Sequence, residues 1–244
     1  MSRPILAAKN VTKVLGHGAA EVHALKDVNL ALKGGELTIM MGPSGSGKTT
    51  LLSVLGCMLT PTAGRVEVCG HSTEGADAER LAQLRRDHIG FVFQSYHLFS
   101  TLTAAENVQL ALDVRGQRGR GARARAYEAL ARVGLAHKIP SYPNELSGGE
   151  QQRVAIARAI VSDPSAILAD EPTAALDGAN GQTILGILAA IARNSERSVL
   201  VVTHDARLMS FANRIVSIED GCLVGERRGE GAAPKLLTAT SGGH

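Results

Sequence analysis

The sequence predicts an α/β fold with a mainly parallel core sheet, an N-terminal antiparallel β portion and an inserted helical lobe. Three observations carry that expectation. The apolar run Leu37 to Met41 leads through Gly42-Pro43-Ser44-Gly45-Ser46-Gly47-Lys48-Thr49 into a helical stretch, Thr50 to Leu55, so a glycine-rich turn sits between a strand and a helix. Two later runs, Ala166 to Ala169 and Val199 to Val202, are continuously apolar rather than alternating, as strands covered on both faces are. From Ser95 to about Val161 the pattern is helical instead.

Taken in chain order, Val28, Leu30 and Leu32 alternate with Asn29 and Ala31 before Gly34-Gly35, the period-two signature of a strand with one buried face. Arg65 to Cys69 reads as another strand, Asp77 to Asp87 as a helix with Leu81 and Leu84 on its apolar side, and Ile89 to Phe93 as a strand. Thr103-x-x-Glu106 is a capping box that opens one helix, and Ala122 to Val133 forms a second, ended by Pro140 and Pro143. The basic segment Gln117 to Arg125 contains glycines and reads as a solvated loop and helix start, with an anionic-lipid contact as the alternative. Between the two buried strands, Ile184, Ile187, Leu188 and Ile191 recur at helical spacing. The expected organisation is one domain over residues 1–224, with a helical lobe at about 95–161 and a mobile C-terminal tail over 225–244.

A chain of 244 residues is long enough to bury a sizeable core as one domain. Its 26 basic residues nearly balance 23 acidic ones and the net charge is +3, with both signs spread along the chain, so no nucleic acid is expected as partner. Cys57, Cys69 and Cys222 are odd in number and lack metal-type spacing, which suits free thiols in a reducing cytoplasm. Met1-Ser2-Arg3-Pro4 does not open a signal peptide, and apolar runs such as Thr183 to Ala192 fall well short of the roughly 20 residues of a spanning helix. If the chain works at a membrane, another polypeptide is expected to span it.

The chemistry concentrates in a few places. Gly42 to Thr49 matches G-x-x-x-x-G-K-[ST]: the glycines leave backbone N–H groups free to point at phosphate oxygens, Lys48 adds a mobile positive charge and Thr49 offers a hydroxyl to Mg²⁺. The two buried strands end in Asp170-Glu171 and Thr203-His204, and open α/β sheets bind ligands at that carboxyl edge. Asp170 is expected to hold Mg²⁺ and Glu171 to orient and deprotonate an attacking water, against the plainer reading of a solvated acidic turn. His204 is placed to donate to a terminal phosphate, or to serve as a structural histidine; Gln94, after the strand Ile89 to Phe93, is placed to reach the metal or the water. Ser147-Gly148-Gly149-Glu150 fits a capping box, and the helix start it makes is also a second anion site.

With the phosphate loop, Gln94, Leu146 to Glu150, Ile167 to Glu171 and His204 in this order, the chain resembles the ATP-binding cassette (ABC) ATPases over nearly its whole length. The resemblance implies a P-loop NTPase fold of ABC type that binds ATP and Mg²⁺. It implies a head-to-tail homodimer in which Gly42 to Thr50 of one chain and Ser147, Gly148 and Gly149 of the other sandwich each ATP. Lys48, Gln94, Glu171 and His204 are then catalytic, Thr49, Gln94 and Asp170 face the metal, and Asp177 lies at the dimer seam.

Within the family, Gly90 to Leu98 and Leu102 to Val108 look like the macrolide-export and lipoprotein-release type, with a glycolipid-export branch similar. Such a resemblance implies a cytoplasmic ATPase peripheral to the inner membrane, powering a separate four-helix permease, often with a periplasmic adaptor, and exporting or extracting a lipophilic substrate or lipoprotein. Tyr96, Leu98 and Phe99 then either dock the permease or pack within the helical lobe. An importer subunit and a non-transport ATP-driven clamp are the alternatives. Relatives usually stack an aromatic residue on adenine near position 15, where this chain has Leu15, with His17 the nearest ring; Ala174 stands where a serine is frequent.

Overall fold

The computed structural model describes residues 3–232. Strands β1 (Leu6–Leu15) and β2 (Val22–Leu32) form an antiparallel hairpin. β4 (Ala63–Val68) pairs antiparallel with the other edge of β1, and the two-residue β5 (His71–Ser72) completes a sheet of order β2-β1-β4-β5. The alternation in β2 has its expected cause, because Val28, Leu30 and Leu32 are buried while Asn29 is exposed. Cys69, expected to end the third strand, instead has φ 47° and turns the chain.

A second sheet of six strands holds the centre. It comprises β3 (Leu37–Met41), β6 (Ile89–Val92), β7 (Ala166–Asp170), β8 (Ser198–Val202), β9 (Arg214–Glu219) and β10 (Cys222–Arg228), in the order β10-β9-β3-β8-β7-β6. All neighbours are parallel except β9 and β10. Its strands are apolar throughout because both faces are covered, and successive side chains go to different layers. Ile39, Ile167, Ala169, Val199 and Val201 face one core, whereas Met40, Leu168, Leu200 and Val202 face the other.

The second of these cores also takes Leu51, Leu52, Val54 and Leu55 of α1 (Lys48–Leu55), Leu84 of α2 (Ala78–His88) and the inner face of the antiparallel sheet. The first takes α3 (Ala104–Asp113), α4 (Arg120–Arg132), α5 (Gly148–Ile160) and α6 (Gly178–Ala192). The phosphate loop thus leaves the sheet between two cores.

α3, α4 and α5 make the inserted lobe. Its entry is fixed by the expected box, Thr103 N donating to Glu106 Oε2 at 2.8 Å and Glu106 N to Thr103 Oγ1 at 3.3 Å. Asn107 is fully buried; it accepts from Phe99 N and donates to the carbonyls of Phe99, Leu102 and Thr103, which pins the preceding loop. The basic segment is tied to the lobe: Arg125 donates to Gln117 Oε1 at 2.5 Å and to the Val161 carbonyl at 2.8 Å.

The tail expected from residue 225 starts inside a strand, because β10 pairs with β9 as far as Arg228 and Glu226 bonds Arg214 at 2.7 Å. An edge strand with one solvated side needs few apolar residues, which is why its Gly, Glu and Arg content looked unstructured. Residues 233–244, the rest of that tail, lie outside the described residues.

Candidate active site

The loop from Gly42 to Gly47 is wedged between the ends of β2 and β9. A Cβ on Gly42 would stand 2.1 Å from the Ile218 carbonyl oxygen. Gly47 has φ 100°, and a Cβ there would meet the Ala24 oxygen at 2.4 Å. The turn after β9 holds the loop from the other side, with Gly221 N donating to the Ser46 carbonyl at 3.1 Å. Lys48 Nζ donates to the carbonyls of Gly42 and Pro43 at 2.8 and 2.7 Å, so its ammonium lies over the loop.

The parallel order brings the ends of β7 and β8 beside this loop. Thr49 Oγ1 donates to Asp170 Oδ1 at 3.3 Å. Burial pushes the Asp170 carboxyl up from its ordinary value; the Thr49 hydrogen bond opposes this and the Glu171 charge adds to it. A hydroxyl and a carboxylate so placed are hard oxygen donors, and they fit Mg²⁺. Glu171 N donates to the Val202 carbonyl at 2.9 Å, and Glu171 has φ 44°. Its Oε1 lies 2.8 Å from His204 Nδ1, while its Oε2 is buried with no hydrogen-bond partner. With Nδ1 donating to the carboxylate, His204 has Nε2 left for a ligand, as an acceptor when neutral and a donor when protonated.

Lys48, Thr49, Asp170, Glu171 and His204 line one open cleft of about 1110 Å³ together with Gly42, Pro43, Ser44, Gly45, Gly47 and Thr50. Ser46 is buried under the loop, its hydroxyl without a partner, and does not line the cleft. Gln94 is exposed and also lies outside the lining, standing apart from the Thr49 and Asp170 oxygens.

Ser147, Gly148 and Gly149 are likewise absent from the cleft. Ser147 caps α5: its N donates to Glu150 Oε2 at 2.8 Å and its Oγ accepts from Glu150 N at 3.3 Å. These bonds hold the Glu150 carboxyl below the usual carboxylate range. A Cβ on Gly148 would meet the Tyr96 hydroxyl at 2.9 Å, and one on Gly149 would meet Asn180 Oδ1 at 2.8 Å. Asn180 in turn donates to Asp177, the N-cap of α6, from its backbone N to Oδ1 and its Nδ2 to Oδ2, each at 2.9 Å. Of the three residues considered for docking, Leu98 packs on the core, Tyr96 lies against Gly148 and the Phe99 ring is 51% exposed.

Two features escaped the sequence reading. Asn180 links Asp177 to Gly149, for which the Asp177-x-x-Asn180 capping pattern was the available signal. Near Leu15 the cleft takes in Glu21, Val22 and His23, and not His17; pairing the hairpin by register would have found Val22.

The fold and cleft define a P-loop ATPase of the mixed parallel and antiparallel kind. Residues 25–174 match the family model described as ABC transporter. The chain is 43% identical over 241 residues to macrolide export ATP-binding/permease protein MacB 1 of Aeromonas hydrophila, a match covering 99% of this chain and 37% of that protein. It is 44% identical over 232 residues to MacB of Bradyrhizobium diazoefficiens, covering 95% and 35%. The chain thus spans just over a third of the length of these curated relatives. Among solved structures it is similar to the ATP-binding cassette MJ0796, a dimer in a post-hydrolysis state bound to ADP and Pi, with TM-score 0.84, 44% identity and coverage of 91% and 98%. It is similar also to cbiO1 from Clostridium perfringens, part of the ABC transporter complex cbiONQ, with TM-score 0.83, 27% identity and coverage of 93% and 89%. The chain belongs to the ABC transporter family and is its ATPase cassette.

Proposed function

We propose that this cassette powers an exporter: two copies close head to tail over ATP, and the cycle drives an integral membrane permease. The observation that carries the reading is the division of the site. Lys48, Thr49, Asp170, Glu171 and His204 share one cleft, while Ser147, Gly148 and Gly149, a helix start with the chemistry to bind the same phosphates, lie outside it. A second copy in reversed orientation supplies those donors to each cleft.

In this reading Lys48 exchanges its loop carbonyls for phosphate oxygens, and the loop amides stabilise phosphate charge. Thr49 and Asp170 would hold Mg²⁺, which would supply positive charge against the phosphates. Glu171, which lines the cleft beside the loop, takes the proton from the attacking water. His204 holds one of its carboxylate oxygens and, when protonated, donates from Nε2 to the terminal phosphate. Gln94 joins the metal and water only when the segment leading into the helical lobe swings toward the cleft. Asp177 meets its counterpart's cleft at the seam.

No helix among the described residues is long and apolar enough to cross a membrane. The permease in this reading is a four-helix membrane unit, with a periplasmic adaptor as a further component. The cassette sits at the cytoplasmic face, and the cargo is a lipophilic molecule or lipoprotein. Support comes from the macrolide-export relatives, which carry ATP-binding and permease functions under one name. Co-purification in mild detergent tests it: a four-helix permease is the expected partner. A larger permease with a binding protein overturns export in favour of import, and a soluble partner overturns transport.

A further inference from the structure

The basic segment that joins α3 to α4 is only partly used by the fold. Residues 114–132 hold six arginines against a single acidic residue, Glu128, whereas the whole chain nets +3, so this stretch is more positive than the molecule that carries it. The structure divides the six. Arg115 donates to the Ser162 and Arg86 carbonyls, and Arg125 to Gln117 and the Val161 carbonyl, so those two fasten the segment to the lobe. Arg123 lies on Tyr127, 5.4 Å from the ring centre and 2.6 Å from the hydroxyl. Arg118, Arg120 and Arg132 are exposed, and among the described residues neither they nor Arg123 and Glu128 enter an ion pair.

The fold gains nothing from these four charges. Arg120 and Arg123 are surface neighbours three residues apart on α4, whose first turn carries no acid, so they repel one another. Gly116, Gly119 and Gly121 have no atom within 4 Å of where a Cβ would stand, so the backbone between the arginines projects clear of the molecule. Val114, 63% exposed, flanks them. A projecting positive turn with one aliphatic residue beside it matches a broad negative surface better than a small ligand.

We propose that Arg118, Arg120, Arg123 and Arg132, with Val114 beside them, are a contact for an anionic lipid bilayer. Guanidinium groups pair with lipid phosphates two hydrogen bonds at a time, and the aliphatic side chain enters the headgroup layer. Single-stranded nucleic acid would want a free aromatic platform, and the one ring here, Tyr127, is half-buried under Arg123. The choice of a bilayer over an acidic protein rests on the transport reading above, which puts the cassette beside a membrane.

The test sediments the full chain with vesicles of phosphatidylcholine alone or mixed with phosphatidylglycerol, at low and high salt. No permease is present, so this contact and the exporter reading fail separately. Binding to the mixed vesicles should exceed binding to the neutral ones by about tenfold or more and fade at high salt. The triple variant R118A/R120A/R123A should bind about a hundredfold more weakly, near fivefold for each arginine, with its ATPase activity in the absence of vesicles unchanged. K33A removes an exposed charge elsewhere and should alter binding by less than about twofold. Equal binding to both kinds of vesicle overturns the proposal, as does a loss in K33A as large as that in R120A, which would make net charge the cause. Displacement from the vesicles by dissolved glycerol phosphate would mean a pocket for one headgroup and overturn the surface. Retention on immobilised polyglutamate without binding to mixed vesicles would make the partner an acidic protein instead.

Discussion

The phosphate loop and the start of α5 are both helix N-termini that follow glycines, yet they are finished in opposite ways. α1 begins at Gly47 in a left-handed conformation with no side chain capping it, so the first-turn amides are left for an anion. α5 begins at Ser147, whose hydroxyl and the Glu150 carboxylate close a reciprocal box on its free N–H groups. The first terminus has no side chain on its amides; in the second, the box takes the Ser147 and Glu150 N–H groups, leaves those of Gly148 and Gly149, and adds a negative charge. In the proposed dimer, phosphate binds α1 of one chain first, and α5 engages a nucleotide that the other protomer's loop has already placed.

The largest expected effect tests the first half of that contrast. E171Q keeps the loop intact and removes the base, so ATP hydrolysis should fall by about 10² to 10⁴ while binding persists; normal turnover would take Glu171 out of the mechanism. Next comes the division between protomers. K48A and S147R should each be nearly inactive alone, and an equimolar mixture should recover about a quarter of wild-type activity, because half the dimers hold one site with both halves intact. No recovery with heterodimers demonstrated would place both half-sites in one chain.

Stability sharpens the contrast further. G47A should cost about 1–3 kcal/mol, because the backbone is left-handed there and the new methyl meets the Ala24 carbonyl. S147A should cost about 1 kcal/mol, the loss of an ordinary cap. Denaturant melts giving equal costs would show that the loop is no more constrained than the box. The smallest effect is pH-dependent. Hydrogen bonds from Thr103 and Ser147 hold Glu106 and Glu150 below their ordinary values, so their stabilisation is complete above the unfolded carboxylate range and lost as pH falls through the depressed values. E150Q, which removes the titrating group, should flatten the acid limb of the stability curve, where wild type declines as pH falls through the depressed carboxylate value.

Much of this arrangement was legible in the chain because local chemistry dictates it. The phosphate loop, both capping boxes and the doubly covered strands depend on residues close in sequence, and the structure places them as expected. What escaped depends on sheet order. The Glu171–His204 contact exists because β7 and β8 are parallel neighbours, and no spacing within a chain encodes that adjacency. β9 and the far end of β10 were illegible for another reason: pairing beside β3 and the Arg214–Glu226 bonds stabilise them more than any apolar pattern does. Gln94 shows the converse. Its position after β6 was correctly anticipated, but its side chain stays out of the cleft because the turn that follows carries it into solvent.

That turn has its own anchorage. Tyr96 and His97 hold φ of 58° and 49°, and Arg158, half-buried on α5, donates to both of their carbonyls at 2.8 and 2.5 Å. Burial lowers the Arg158 pKa, and its planar guanidinium makes a two-pronged tether. Two left-handed residues and one two-pronged side chain fasten the loop that leads to Phe99 onto the helix whose first turn bears Gly148. In the proposed dimer, that single side chain ties the outer surface to the helix start that meets the neighbouring nucleotide.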